Sequence, residues 1–241
     1  MSYLSLIWAD GRPSPEDLAY MQRELPVFEA DPVWGRVRLF GRELELPERA
    51  ATVRVRDGGT IVTDGPFAEA KEFIAGFDVL DATGPDQAIG FAAACPISSC
   101  QPIEVRPFSG DVSLDERALA FGRAEDGGAK PHLLCPWVDP DVVEPGLREE
   151  LQAWRELLQT RGVHVLGQTL AGPQEATTVR VRDGSRELTA GPFTGIPQVM
   201  AEIDVVDCAD RSEAIELAAT HPMARRHAIE VRPFYIEADH R

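Results

Sequence analysis

The feature that most constrains this chain is that it repeats itself. Residues 52–108 align on residues 178–234 without a gap, at an offset of 126, and 26 of the 57 positions are identical. Whatever fold one copy takes, the other takes too. Both copies carry Arg-Val-Arg-Asp-Gly (54–58 and 180–184), then Gly-Pro-Phe (65–67 and 191–193), and both close on Ile-Glu-Val-Arg-Pro-Phe (103–108 and 229–234).

Each copy reads as strand, helix, strand, hairpin, strand, helix, strand. Ser14, Pro15, Glu16 and Asp17 form a helix start: a serine cap, proline at the first helical position, acids in the first turn. Pro26, which lacks an amide hydrogen, is expected to kink or shorten that helix. Its counterpart sets Leu147, Leu151, Trp154 and Leu158 on one face, with Gly162 placed to end it. Residues 37–44 and 163–170 alternate as strands. Pro47 and Pro173 break the chain before two hairpins whose turns are Asp57-Gly58 and Asp183-Gly184, pairs that tolerate positive φ. A strand at 73–82, a helix at 85–95 and the Ile-Glu-Val-Arg strand follow.

Helices of this kind cover only one face of an antiparallel sheet. The other face must find a partner, and the second copy supplies what a second subunit otherwise would. The expected organisation is a first repeat at 1–108, a linker at 109–130 that is polar, acidic and glycine-containing with at most a short helix near 114–121, and a second repeat at 131–241. The expected state is a monomer built as a pseudo-dimer.

Composition narrows the function classes. A net charge of −16 argues against direct nucleic-acid binding, whose affinity comes largely from lysine and arginine on phosphates. No apolar run approaches a membrane span. The apolar residues 1–8 lack a basic leader and read as a first strand rather than a signal peptide, which points to a cytoplasmic location. Cys95, Cys100, Cys135 and Cys208 lack metal-ligand spacing and read as small hydrophobes in a reducing compartment. The five histidines form no sequence triad, no phosphate loop or nucleophile elbow is present, and neither a metal nor a cofactor is expected. His221 stands where the other copy has Cys95, a helix-end packing position.

The stretch Asp64-Gly65-Pro66-Phe67-Ala68-Glu69-Ala70-Lys71-Glu72 resembles the DGPF motif of the YCII-related family, and the likeness extends over nearly all of both copies. It implies an α+β fold: two ferredoxin-like repeats with antiparallel sheets packed face to face as an intrachain dimeric α+β barrel. The second copy departs from the motif, with Ala190, Gly195, Pro197 and Gln198 in place of Asp64, Glu69, Lys71 and Glu72.

Two explanations fit the motif. Asp64 can anchor an Asx turn, yet Gly191-Pro192-Phe193 makes the same turn beside Ala190, which frees Asp64 for another role. If residues 67–73 are extended, Glu69 and Lys71 share a face. They then form either an exposed ion pair worth ~0–1 kcal/mol, or the mouth of a site where Asp64 or Glu69 exchanges protons and Lys71 holds an anionic group. A second constellation, Arg54, Asp78, Glu104 and Arg106, echoed by Arg180, Asp204, Glu230 and Arg232, reads as an ionic network between copies or as binding residues.

Family likeness places two functions side by side. One is a small-molecule site in the first repeat for a polar or aromatic compound; if it is an enzyme, a cofactor-independent lyase, isomerase or dehalogenase-like activity is implied. The other is a regulatory protein associated with an extracytoplasmic-function sigma factor or another basic partner.

Overall fold

The computed structural model describes residues 1–9, 11, 13–67, 72–112, 114, 130–139 and 146–236. In chain order the elements are β1 (Ser2–Ala9), α1 (Pro15–Ala30), the one-turn α2 (Trp34–Val37), β2 (Arg38–Glu43), β3 (Ala51–Arg56), β4 (Gly59–Asp64), β5 (Phe73–Asp81), α3 (Pro85–Ala94) and β6 (Ile103–Pro107). There follow β7 (Lys130–Val138), α4 (Leu147–Thr160), β8 (His164–Thr169), β9 (Thr177–Arg182), β10 (Ser185–Ala190), β11 (Val199–Met200), β12 (Glu202–Cys208), α5 (Arg211–Thr220) and β13 (Ala228–Pro233). The helix expected near 114–121 lies, Leu114 apart, outside the described residues. No helix among those described is long and apolar enough to cross a membrane.

The fold is α+β with two antiparallel sheets, ordered β10-β9-β6-β1-β5-β2 and β4-β3-β13-β7-β12-β8, with β11 beside β7. Neither sheet is made by one repeat alone. The β3–β4 hairpin of the first repeat pairs with β13 of the second (Ile229 with Val53, Glu230 with Thr52), and the β9–β10 hairpin of the second pairs with β6 of the first (Ile103 with Val179, Glu104 with Thr178). The compact units follow the sheets. Unit 1 holds the described residues within 1–43, 70–113 and 170–195, and unit 2 those within 44–69, 114–169 and 196–241. The repeats thus exchange hairpins, which the reading of each copy as its own sheet did not anticipate. Alternation marks a strand, but nothing in it says which sheet the strand joins.

Local chemistry accounts for the elements. Ser14 and Asp17 form a reciprocal capping box at the start of α1. The helix runs through Pro26 to Ala30 instead of stopping. Its far end is held by Phe28, which meets Trp34 and Phe91 at ring-centre distances of 6.4 and 5.2 Å. Asp57-Gly58 and Asp183-Gly184 turn the hairpins with positive φ at all four positions. Leu151, Trp154 and Leu158 bury one face of α4, and Gly162 follows it at φ +71°.

The helix-facing core of unit 1 gathers Tyr3, Leu80, Ile103, Val105 and Val179 against Ala88, Phe91 and Ala92 of α3. That of unit 2 gathers Val53, Leu134, Val206, Ile229 and Val231 against Leu151, Trp154, Leu158, Ala214 and Leu217. A carboxylate lies in the helix-facing layer of each: Ser5 pairs with both Asp78 and Val105, and Leu134 with both Asp204 and Val231. Each carboxylate rests over a glycine of the edge strand. A Cβ on Gly41 would stand 2.0 Å from Asp78 Oδ1, and one on Gly167 2.0 Å from Asp204 Oδ1. We expect Gly41→Ala and Gly167→Ala each to destabilise the protein by ~1–3 kcal/mol, the usual cost of overpacking, whereas Gly11→Ala, with open space around its Cβ, should change little. Urea denaturation of the three variants checks this.

Candidate functional site

The Gly-Pro-Phe turn is built alike in both units. Gly65 and Gly191 hold φ of +99° and +95°, where a side chain is strained. The Gly65 N–H donates to the Ala50 carbonyl and the Thr52 hydroxyl to the Gly65 carbonyl; Ala176 and Thr178 serve Gly191 in the same way. Backbone and threonine therefore hold the turn, which is why Ala190 can stand where Asp64 does.

The phenylalanine after the turn is latched by the closing strand. In unit 2 the Phe67 N–H and the Trp137 Nε1–H both donate to Glu230 Oε2, each at 3.1 Å. Phe67 stacks on Trp137 at 5.7 Å between ring centres, and the Arg54 guanidinium lies 5.5 Å over its ring. Unit 1 repeats the set: Phe193 N–H and Trp8 Nε1–H donate to Glu104 Oε2 at 3.0 and 3.2 Å, Phe193 meets Trp8, and Arg180 covers its ring. Burial raises the Glu104 pKa, and the Phe193 N–H, Arg106 and Trp8 only partly offset it. The buried Arg106 donates to the Ala171 carbonyl at 2.8 Å, and the buried Arg232 to Glu230 Oε1 and the Glu45 carbonyl.

The proposed constellation is thereby divided. Arg54 is in unit 2, exposed beside Phe67; Glu104 and Arg106 are in unit 1, on the sheet face opposite Asp78. The two strands carry their charges on opposite faces because Asp78 and Val105 both pair with Ser5 of the intervening β1, a register that alternation within either strand does not reveal.

Asp64 ends β4 with an 86% exposed side chain, and its Oδ1 accepts from Arg211, the first residue of α5, at 2.6 Å. Arg211 also donates to the Ala50 carbonyl. The equivalent positions of the other repeat are Ala190 and Pro85, so both partners of this pair are replaced together. Glu69 and Lys71, and the extended conformation expected for 67–73, fall on residues 68–71, outside those described.

A second polar group, absent from the sequence reading, surrounds Asp204. Arg155 of α4 donates to both Asp204 oxygens at 2.7 and 3.0 Å and to Glu202 Oε2 at 3.0 Å. His164 Nε2 is 3.3 Å from Asp204 Oδ1. His221 Nε2 lies 2.9 Å from Glu202 Oε1 and 3.6 Å from Asp204 Oδ2. At the matching positions unit 1 has Glu29, Gly76, Asp78, Arg38 and Cys95 in place of Arg155, Glu202, Asp204, His164 and His221. There Asp78 binds Arg38, which also donates to Glu29 at 3.0 Å.

The two aspartates titrate in opposite senses. Burial raises Asp78, because Arg38 alone does not overcome it and Glu29 adds repulsion. Burial pushes Asp204 the same way, but Arg155, His164 and His221 outweigh it and hold its carboxyl well below the ordinary range. The signal in the sequence was the comparison of copies: Gly76/Glu202, Cys95/His221 and Pro85/Arg211 each exchange an apolar residue for an ionisable one.

Among the described residues, Glu202, Asp204 and His221 are the one set of donors spaced as an ion's ligands are. Their surroundings suit a proton better. The Met223 N–H donates to His221 Nδ1 at 3.2 Å, so the neutral ring carries its hydrogen on Nε2, the atom a metal would need bare. Arg155 already balances one of the two carboxylates.

The YCII-related domain matches residues 7–109 and 138–236. The chain belongs to the YCII-related family. A curated relative from Rhizobium meliloti (strain 1021), described as an uncharacterized protein, is 45% identical over 64 residues, 25% of this chain and 50% of the relative. The chain thus spans half the length of that protein. The two family matches follow the sequence repeats, whereas the compact units cut across them.

Two outcomes follow from this geometry. Glu230→Ala and Glu104→Ala should destabilise alike, each by at least ~2 kcal/mol, since each strands two N–H donors at ~1–3 kcal/mol per buried group. At pH 7, Asp204→Asn should cost ~3–5 kcal/mol, as expected for breaking a buried ion pair, and Asp78→Asn clearly less. Asp204 contributes stability above its ordinary pKa and loses it as pH falls through its lowered folded value, while raised Asp78 contributes only in acid. Urea denaturation of the four variants at pH 7, with the two aspartate variants repeated at pH 4, measures both.

Proposed function

We propose that this YCII-related protein binds a small polar or aromatic molecule at one site, set by the charged residues of the first repeat's motif. The observation that supports this reading is the exposed Asp64–Arg211 pair, both of whose members are lost from the equivalent positions Ala190 and Pro85. Gly-Pro-Phe, which the latch needs, is kept twice; the charges beside it are kept once. Because the hairpin is exchanged, Asp64 and Arg211 both belong to unit 2, as does Arg54 over Phe67. In this reading Asp64 or Glu69 exchanges a proton with the bound molecule, a cation of the motif's surroundings holds its anionic group, and any reaction is of the lyase, isomerase or dehalogenase-like kind.

A thermal-shift screen of small carboxylates, phosphates and phenols tests it with wild type, Asp64→Ala and Arg211→Ala. An exposed pair is worth only ~0–1 kcal/mol, so the unliganded melting temperatures should stay within a few degrees. A compound that stabilises wild type should lose its effect in both variants. A shift that survives both substitutions rejects the site.

The charge of −16 favours a second reading, a regulatory protein that meets a basic partner such as an extracytoplasmic-function sigma factor. Association that weakens steeply with salt would support it, and salt-independent association or none would reject it.

A further inference from the structure

The buried group under α4 is a different matter from the exposed motif. His221 is the C-cap of α5 and opens the 3-10 turn Pro222–Arg225, so its ring sits at the junction of two elements. From β12 it faces Glu202 and Asp204; from α4 it faces Trp154, at 4.6 Å between ring centres, and the Arg155 head that bridges both carboxylates. From β8, His164 reaches Asp204, and Thr169 lies 3.4 Å from Glu202 Oε2. Its own turn supplies the Met223 N–H. Glu202, Asp204 and His221 have no exposed side-chain surface. Glu202 Oε1 and His221 Nε2 stand 2.9 Å apart, and Asp204 Oδ2 lies 3.6 Å from the same nitrogen.

We propose that Glu202, Asp204 and His221 form a proton-operated clasp that fastens α4 and α5 to the sheet of unit 2. With His221 protonated, imidazolium and guanidinium balance the two carboxylates that they face. Without that proton, the Glu202–Asp204–Arg155 set carries one buried negative charge that no cation of the set balances, and charge in a low-dielectric interior is costly. Burial favours the neutral ring and the Met223 N–H opposes protonation at Nδ1, but Asp204 and Glu202 prevail and raise the His221 pKa. Unit 1 has no such device: Gly76 and Cys95 take the places of Glu202 and His221, and burial pushes the Cys95 thiol up to about 12. The clasp also sits on the helix that carries Arg211 at its other end, ten residues away. Loosening it frees the support of the Asp64 pair.

The sign is fixed by the raised value. The clasp contributes fully below the ordinary histidine pKa and is lost as pH rises through the folded one. The test is urea denaturation of the full chain from pH 5.5 to 9, wild type against His221→Cys, the residue of the other repeat. Wild type should lose stability with rising pH by up to about tenfold in the folding equilibrium constant per pH unit, the limit for one proton. The variant should show a flatter dependence over the same interval. An unchanged slope in the variant overturns the clasp. Should His221→Cys fail to fold, NMR titration of the wild-type imidazole decides: a midpoint above that of free histidine supports the proposal, and one at or below it defeats it. Stoichiometric stabilisation of wild type by Zn²⁺ or Ni²⁺ would also overturn it, by showing that the donors serve an ion.

Discussion

One carboxylate oxygen accepting two N–H donors ties each sheet to a hairpin from the other repeat. Glu230 does this for Phe67 and Trp137, and Glu104 for Phe193 and Trp8. In each strand the glutamate is buried, and so is the arginine two residues on. The Ile-Glu-Val-Arg pattern serves two faces: alternate residues enter the helix-facing core, and the intervening Glu and Arg receive the partner's turn. The aromatic contacts and the arginine over each phenylalanine ring fill the remaining surface of the latch.

Against that common frame, the aspartate of the fifth strand in each unit shows how neighbours decide a shared residue's behaviour. Asp78 and Asp204 occupy the same place over the same glycine, yet one is strained by burial and the other stabilised by three cationic or polar groups. In unit 1 the aspartate meets Arg38, which also binds Glu29. Unit 2 has gathered Glu202, His164, His221 and Arg155 around it, and also carries the exposed Asp64–Arg211 pair. Divergence between copies has therefore concentrated ionisable chemistry in one unit while leaving the latch intact in both.

Much of the secondary structure was legible because it rests on local chemistry: the Ser14 cap, the Asp-Gly turns, the apolar face of α4. The family too could be read from the motif and the closing strand. Hairpin exchange was hidden, since pairing partners are chosen by long-range register rather than by any residue in the hairpin. For the same reason the sequence groups Asp78 with Glu104 although it lies on the opposite face. His221 is the helix-end residue that its place in the repeat implies, but the carboxylates it faces come from a strand whose counterpart carries glycine at one of the two positions. Of the candidate site, Asp64 could be singled out from the asymmetry of the copies, whereas Arg211 required the fold to bring α5 beside β4.

Hairpin exchange bears finally on the order in which the chain can be assembled during synthesis. A protein made of independent repeats completes its first one while the ribosome is still translating the second. Here β6 ends at Pro107, but its partner β9–β10 is not complete until Ala190. The first sheet stays open along β6 over that interval, an unpaired edge that invites association with other nascent chains. Translation speed across residues 108–190 is therefore a property on which the yield of folded protein depends.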